Sequence, residues 1–236
     1  MAKVCFYVMT KDTGFAPNPF HGWCTLAACT PNHRDADLAR GDYIAGVFRS
    51  GGPPRLVYVM EVAMSLDFDA YYRDGRFKKK KPRKDGTWQE RAGDNIYFVN
   101  PVGEYVQDKN ACFHTSRRNM LQDIKHPTVF LGRRFAYFGK QAETDQALLL
   151  PKRFHWCLPP NQGTKDLIEE SPDFDPFLTW AFSHGSGLVG MPRDREIDGE
   201  ANKRGDVVQM RATRKCLLAS AMMAGREPLR NHWRRS

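Results

Sequence analysis

Asp12, Asn18, His21 and Cys24 stand within thirteen positions of one another, interleaved with Phe15, Phe20 and Trp23 and with Pro17 and Pro19. Each of the four can do chemistry. Asp12 could pass a proton to or from a bound group, as a carboxylate near a pocket does. The simpler reading is a turn in which the Asp side chain bonds nearby amides. Cys24 could be a nucleophile if His21 held its proton, or a small buried thiol that packs. Asn18 lies between two prolines, which fix its neighbours and so aim its amide. That amide offers donors and an acceptor, the complement of a base edge. Phe15, Phe20 and Trp23 would supply flat faces for stacking, or would simply join the core.

Other chemistries find less support. Cys24, Cys29 and His33, even with His21, make an irregular set that falls short of a regular four-ligand zinc site. No metal and no cofactor is expected. Gly185, Gly187 and Gly190 space like a dinucleotide-binding turn, but the residues before them read as a helix rather than a strand. No phosphate-binding GxxxxGK[ST] motif occurs. The six cysteines are scattered and follow no export signal, so reduced thiols in a cytoplasmic setting are expected. No apolar run of about 18 residues occurs, so no membrane span is expected.

Charge is uneven. Residues 76–84 carry seven cations and no anion, and residues 202–236 carry nine basic and two acidic residues. Each segment thus contributes +7 to a net charge of +9, which leaves the rest of the chain at −5. Lys78, Lys79, Lys80, Lys81, Arg83 and Lys84 are therefore candidate phosphate ligands, since clustered cations bind polyanions through counterion release.

These residues need a scaffold. Apolar, β-rich runs predict strands over 3–9, 43–49, 55–64, 95–100, 127–131 and 134–138. The second and third form a hairpin across residues 50–54. Residues 24–29 begin either a helix or a strand. A helical turn capped by Ser65, a helix from Thr115 or Ser116 to about Ile124, one from Pro31 to Arg40, broken helical pieces over 166–184 and a longer helix from Asp206 complete the set. Residues 1–200 then make one α+β domain, with a basic insertion at about 75–95 anchored by Trp88. Residues 201–236 make a basic helix and tail. Strands do not alternate with long helices, which argues for a mixed, mostly antiparallel sheet with peripheral helices rather than a doubly wound one.

The run DTGFAPNPF (12–20), then CTLAAC (24–29), Pro31 and Arg34, Gly41-Asp42, PTVFLG (127–132) with Arg134, Tyr137 and Gly139, and Gly185 and Gly187 resembles the family called nucleotide modification associated domain 2. The resemblance implies an association with systems that modify DNA bases in bacteria and their viruses. It assigns no reaction and gives no role to the basic insertion or tail. Residues 40–48 with 55–62 are also similar to the Gly-Asp hairpin of PUA-like (ASCH and EVE) domains, which implies a partly closed β-barrel that binds RNA or modified bases. Together the readings point to a nucleic-acid or nucleotide recognition domain. Its pocket would be lined by Asp12, Phe15, Asn18, Phe20, His21 and Trp23, with Arg49 and Tyr137 at nearby strand ends. Two alternatives stand beside it: an enzyme using Asp12, and Cys24 as nucleophile, on a nucleotide or modified base, and a non-catalytic protein docking a base-modifying enzyme through its basic segments.

Overall fold

The computed structural model describes residues 1–28, 37–49, 52–161 and 163–194. Its strands are β1 (Lys3–Met9), β2 (Cys24–Leu26), β3 (Tyr43–Phe48), β4 (Arg55–Glu61), β5 (Met64–Asp67), β6 (Tyr97–Val99), β7 (Tyr105–Gln107), β8 (Thr128–Gly132), β9 (Phe135–Tyr137), β10 (Thr164–Ile168) and β11 (Gly187–Leu188). Five short helices accompany them: α1 (Phe68–Arg73), α2 (Trp88–Arg91), α3 (Arg117–Asp123), α4 (Gln141–Thr144) and α5 (Phe174–Ser183). The architecture is mixed α+β and mostly antiparallel.

The main sheet runs β10-β1-β3-β4-β9-β11. Only the β1–β3 and β9–β11 pairs are parallel. β1 and β3 are central strands, and their near-continuous Val, Ile, Phe and Tyr runs are buried on both faces. One face is covered by α5, where Phe177 meets Phe6 edge-on with centroids 4.7 Å apart. A second sheet, β2-β8-β5, and the β6–β7 ribbon frame a separate core around Phe68, Tyr71, Phe77, Tyr97, Val129 and Leu131. The main sheet keeps two edges, β10 and β11, so the described residues close no barrel.

Several local readings change. Ser65 caps nothing; it lies in β5 opposite Phe130, and Asp67 caps α1 by accepting from the Ala70 amide. The hydroxyl of Ser116 caps α3. Residues 164–168, read in part as helical, are an edge strand in which Leu167 is the only fully buried residue, which hides the two-residue period. Pro176 sits in the first turn of α5, where a missing N–H costs no helical hydrogen bond. The segment 75–95 is built into the fold. A 3-10 turn, Gly75–Lys80, buries Phe77 and Lys80, and α2 opens on a reciprocal Thr87–Glu90 capping box. The helices expected from Pro31 and Asp206, and the basic tail, lie largely or wholly outside the described residues.

Candidate functional site

The loop between β1 and β2 carries Asp12, which is fully buried. One carboxylate oxygen accepts from the Tyr137 hydroxyl and the other from the Arg193 amide, 3.1 Å away. Burial pushes its acidity toward weaker ionisation, against the pull of the Tyr137 and Arg193 hydrogen bonds. The main chain is clamped as well. The Asp12 amide donates to Asp194 Oδ2 at 2.5 Å, and the Asp194 amide returns a bond to the Asp12 carbonyl at 2.9 Å. Residues 191–194 thus lie along the loop. A Cβ on Gly14 would stand 2.6 Å from Pro192. Tyr137 continues inward to Tyr58, with ring centroids 6.4 Å apart, and the Tyr58 and Tyr7 hydroxyls are 3.0 Å apart.

Phe15 leaves the loop for the second core, stacking on Phe113 with centroids 5.2 Å apart and touching the His114 ring. The Ala16–Pro17 peptide is cis. Asn18 then pairs with Thr25 through two backbone bonds of 2.8 and 2.9 Å, extending β2. Its amide nitrogen donates to the Ala92 carbonyl at 2.8 Å. Its side-chain oxygen accepts from the Phe20 amide and from Lys80. The aim imposed by the two prolines is therefore inward, and Phe20 is buried with it.

Lys80 is the anchor of this arrangement. It is 1% exposed, and its ammonium lies 2.7 Å from Asn18 Oδ1, 2.8 Å from the carbonyls of Asn18 and Trp23, and 3.2 Å from the Thr25 hydroxyl. The countercharge is Asp94, which is also buried and accepts from Thr25 at 2.5 Å and from the Tyr71 hydroxyl at 2.8 Å. Burial pulls the Lys80 ammonium down to about 8, with Asp94 opposing the shift. A buried charge must be hydrogen-bonded and compensated; this one is held by four oxygens and is linked to Asp94 through the Thr25 hydroxyl rather than by direct contact. Its neighbours behave differently. Lys78, Lys79, Arg83 and Lys84 are exposed, and Lys81 is half-buried with its ammonium 3.4 Å from the centre of the Tyr72 ring. Arg83 pairs with Glu90 at 2.6 Å.

The loop reaches the surface at its far end. His21 and Gly22 both adopt left-handed backbone, with φ of 60° and 76°, and both are exposed. The imidazole of His21 is held below its ordinary value, first by partial burial and then by Lys80 and Lys79. Trp23 follows, half-buried. It meets Phe77 edge-on at 5.2 Å, and the Arg133 guanidinium stands 5.4 Å from its centroid. Register explains that neighbour. Cys24 pairs with Gly132 across β2 and β8, so the residues one step beyond, Trp23 and Arg133, face each other. The next residue, Arg134, is committed to Glu61 and the Tyr43 hydroxyl.

Cys24 itself is fully buried, and burial pushes its thiol up to about 12; a thiol so protonated is a poor nucleophile at neutral pH. Arg49 hydrogen-bonds the carbonyls of Pro159 and Pro160 at 2.9 and 3.3 Å, and none of its hydrogen bonds reaches the loop. Cys29 and His33 lie outside the described residues. Among the described residues no group of three His, Cys, Asp or Glu side chains could hold a metal ion, and no helix is long and apolar enough to cross a membrane.

The structure thus joins Asp12 with Tyr137, and Asn18 with Lys80, in the interior. It gathers His21, Trp23 and Lys79 near the loop tip. The sequence reading missed Asp94, Arg133 and Arg193. One signal for Lys80 existed: Phe77 and Lys80 are three apart, and in a turn of three residues they share a face. A model for one protein family, described as nucleotide modification associated domain 2, matches residues 1–199. No curated protein and no solved structure matches the chain.

Proposed function

The chain belongs to the nucleotide modification associated domain 2 family, and from that membership we propose that it recognises nucleic acid or a nucleotide in a base-modifying system, through the outward side of the 21–23 turn and the exposed lysines beside it. The observation that carries this reading is the enclosure of Lys80 by oxygens of Asn18, Trp23 and Thr25. It ties the loop to the basic run, so that exposed Lys78 and Lys79 belong to the same rigid piece as His21 and Trp23. Preorganised contacts spare a ligand the cost of ordering them.

In this reading Asp12, Phe15, Asn18 and Phe20 act from inside. They hold the turn in place, and the ligand meets His21, Trp23, Lys78 and Lys79. The resemblance of the Gly-Asp hairpin to that of PUA-like domains favours a base-directed role. Gly41 takes a φ of 94°, and the Asp42 carboxylate accepts from the amides of Lys3 and Ala39, so the motif works here as a brace between β1 and β3.

A catalytic reading draws on a different pair. His114 Nδ1 lies 2.6 Å from Asp123 Oδ2, and the Tyr97 hydroxyl donates to the same oxygen at 2.8 Å. His114 holds a φ of 54° and its ring rests against Phe15. A histidine oriented by a buried carboxylate is the arrangement a general base uses.

Fluorescence anisotropy of a labelled oligonucleotide over a salt series tests the main reading. The logarithm of affinity should fall linearly with the logarithm of salt, and Lys78→Ala with Lys79→Ala should together flatten the slope by about 1.5. A slope unchanged by both substitutions overturns the assignment of these lysines.

A further inference from the structure

We infer that Arg133 and Trp23 form a stacking platform for an unpaired base, so that the ligand of this face is single-stranded nucleic acid; the inference rests on the recognition role proposed above. Trp23 is fixed from three sides. Its carbonyl is held by Lys80 at 2.8 Å, its ring abuts Phe77, and its backbone leads directly into β2. Arg133, an exposed residue, places its guanidinium over the ring, 5.4 Å from the centroid, within reach of attraction between a cation and a π face. No carboxylate pairs with Arg133 among the described residues, although Arg134 beside it is fully engaged. Phe77 thus buttresses Trp23 edge-on, and the exposed Arg133 beside that ring carries a planar group available to a ligand.

A guanidinium plane of this kind accepts a base face by stacking. Base faces are hidden in a duplex and available in a single strand, so the platform selects for unpaired nucleotides. The surroundings fit a strand better than a free nucleoside. His21 and Gly22 form an exposed turn, and a Cβ on Gly22 would meet nothing within 4 Å. Lys78 and Lys79 supply further cations with no carboxylate partner among the described residues. Stacking combined with a row of backbone-tracking cations is how single strands are held without sequence preference.

The test compares three labelled probes of one length: a single strand, the same sequence as a duplex, and a strand lacking bases. Wild-type protein should bind the single strand about tenfold more tightly than either of the others. Arg133→Ala should weaken the single strand about tenfold and leave the baseless strand within about twofold. Arg133→Lys separates stacking from charge, because it keeps the cation and loses the plane; it should behave like Arg133→Ala. Arg133 is exposed, so both variants should fold even if Trp23→Ala does not. Equal affinity for strand and duplex, equal affinity for strands with and without bases, or full rescue by Arg133→Lys overturns the platform. Loss of binding to every probe, in wild-type protein, would instead overturn the recognition role itself.

Discussion

The ammonium of Lys80 and the side-chain oxygen of Asn18 lie 2.7 Å apart, each almost fully buried. This contact joins the proline-fixed loop to the basic run at a point where neither touches water. Removing the cation should leave Asp94 buried without a countercharge and strip the loop oxygens of their donor. Lys80→Met is expected to cost about 3–5 kcal/mol in urea unfolding, the usual penalty for orphaning a buried ionic partner. Lys79→Met, one residue away and exposed, should stay within about 0.5 kcal/mol of wild type.

The same lysine gives a pH signature. Its ordinary value is 10.5 and its folded value about 8, so between these limits the unfolded chain holds the proton more firmly. The contribution of Lys80 to stability should therefore rise as pH climbs from about 8 toward 10, while the buried thiols of Cys5, Cys24 and Cys157, pushed up to about 12, act in the opposite direction above about 9. Asp94 is shifted upward by burial, and its influence falls on the acid side, where the folded carboxyl keeps its proton longer. Urea midpoints of wild type and Lys80→Met at about pH 7.5 and 9.5 isolate the effect; a difference between the two proteins that does not change with pH would mean that Lys80 keeps an ordinary proton affinity.

Asp12 and Tyr137 should behave as a unit. Asp12→Asn turns one accepting oxygen into a donor that must face either the Tyr137 hydroxyl or the Arg193 amide. A cost of about 1–3 kcal/mol is expected from the mismatch. Tyr137→Phe should cost less in the Asp12→Asn background than in wild type, and a double-mutant cycle should return a coupling above about 0.5 kcal/mol.

Gly132 tests how closely the two sheets meet. A Cβ there would lie 2.3 Å from the Glu61 carbonyl oxygen, which belongs to backbone and cannot swing away. Gly132→Ala should destabilise by about 2 kcal/mol or more and disturb the neighbouring Arg133. Gly52→Ala, whose Cβ would meet nothing within 4 Å, should be close to neutral. Thermal unfolding of the two variants makes the comparison.

The strands at 3–9, 43–48 and 55–61 were legible because their apolar runs are long and their neighbours are turn formers. The strand at 164–168 was not, because an edge strand buries one face and its Lys165 and Asp166 read as surface anywhere. The loop motif was legible as special and misleading in direction. Asn18 and Asp12 carry the atoms a base edge would need, and so does a protein interior that must satisfy its own carbonyls and amides. What turned them inward was a lysine 62 residues away and the backbone of Arg193, 181 residues away. Local pattern carries no information about such partners. Arg133 was hidden for a similar reason, since its pairing with Trp23 follows from the register of β2 on β8.

Residues 191–194 close over Asp12, and β10 completes one side of β1. On the ribosome, the motif near the chain's start must therefore wait for segments made more than 150 residues later. At ordinary synthesis speeds that delay is roughly 10 to 40 seconds. Through that interval Asp12 lacks the Arg193 amide and the Asp194 clamp, although the partners of Phe15 and Trp23, Phe113 and Phe77, have already been made. The nascent chain would depend on chaperone shelter for its most distinctive segment, and a lack of such shelter would appear as lost yield long before any lost affinity.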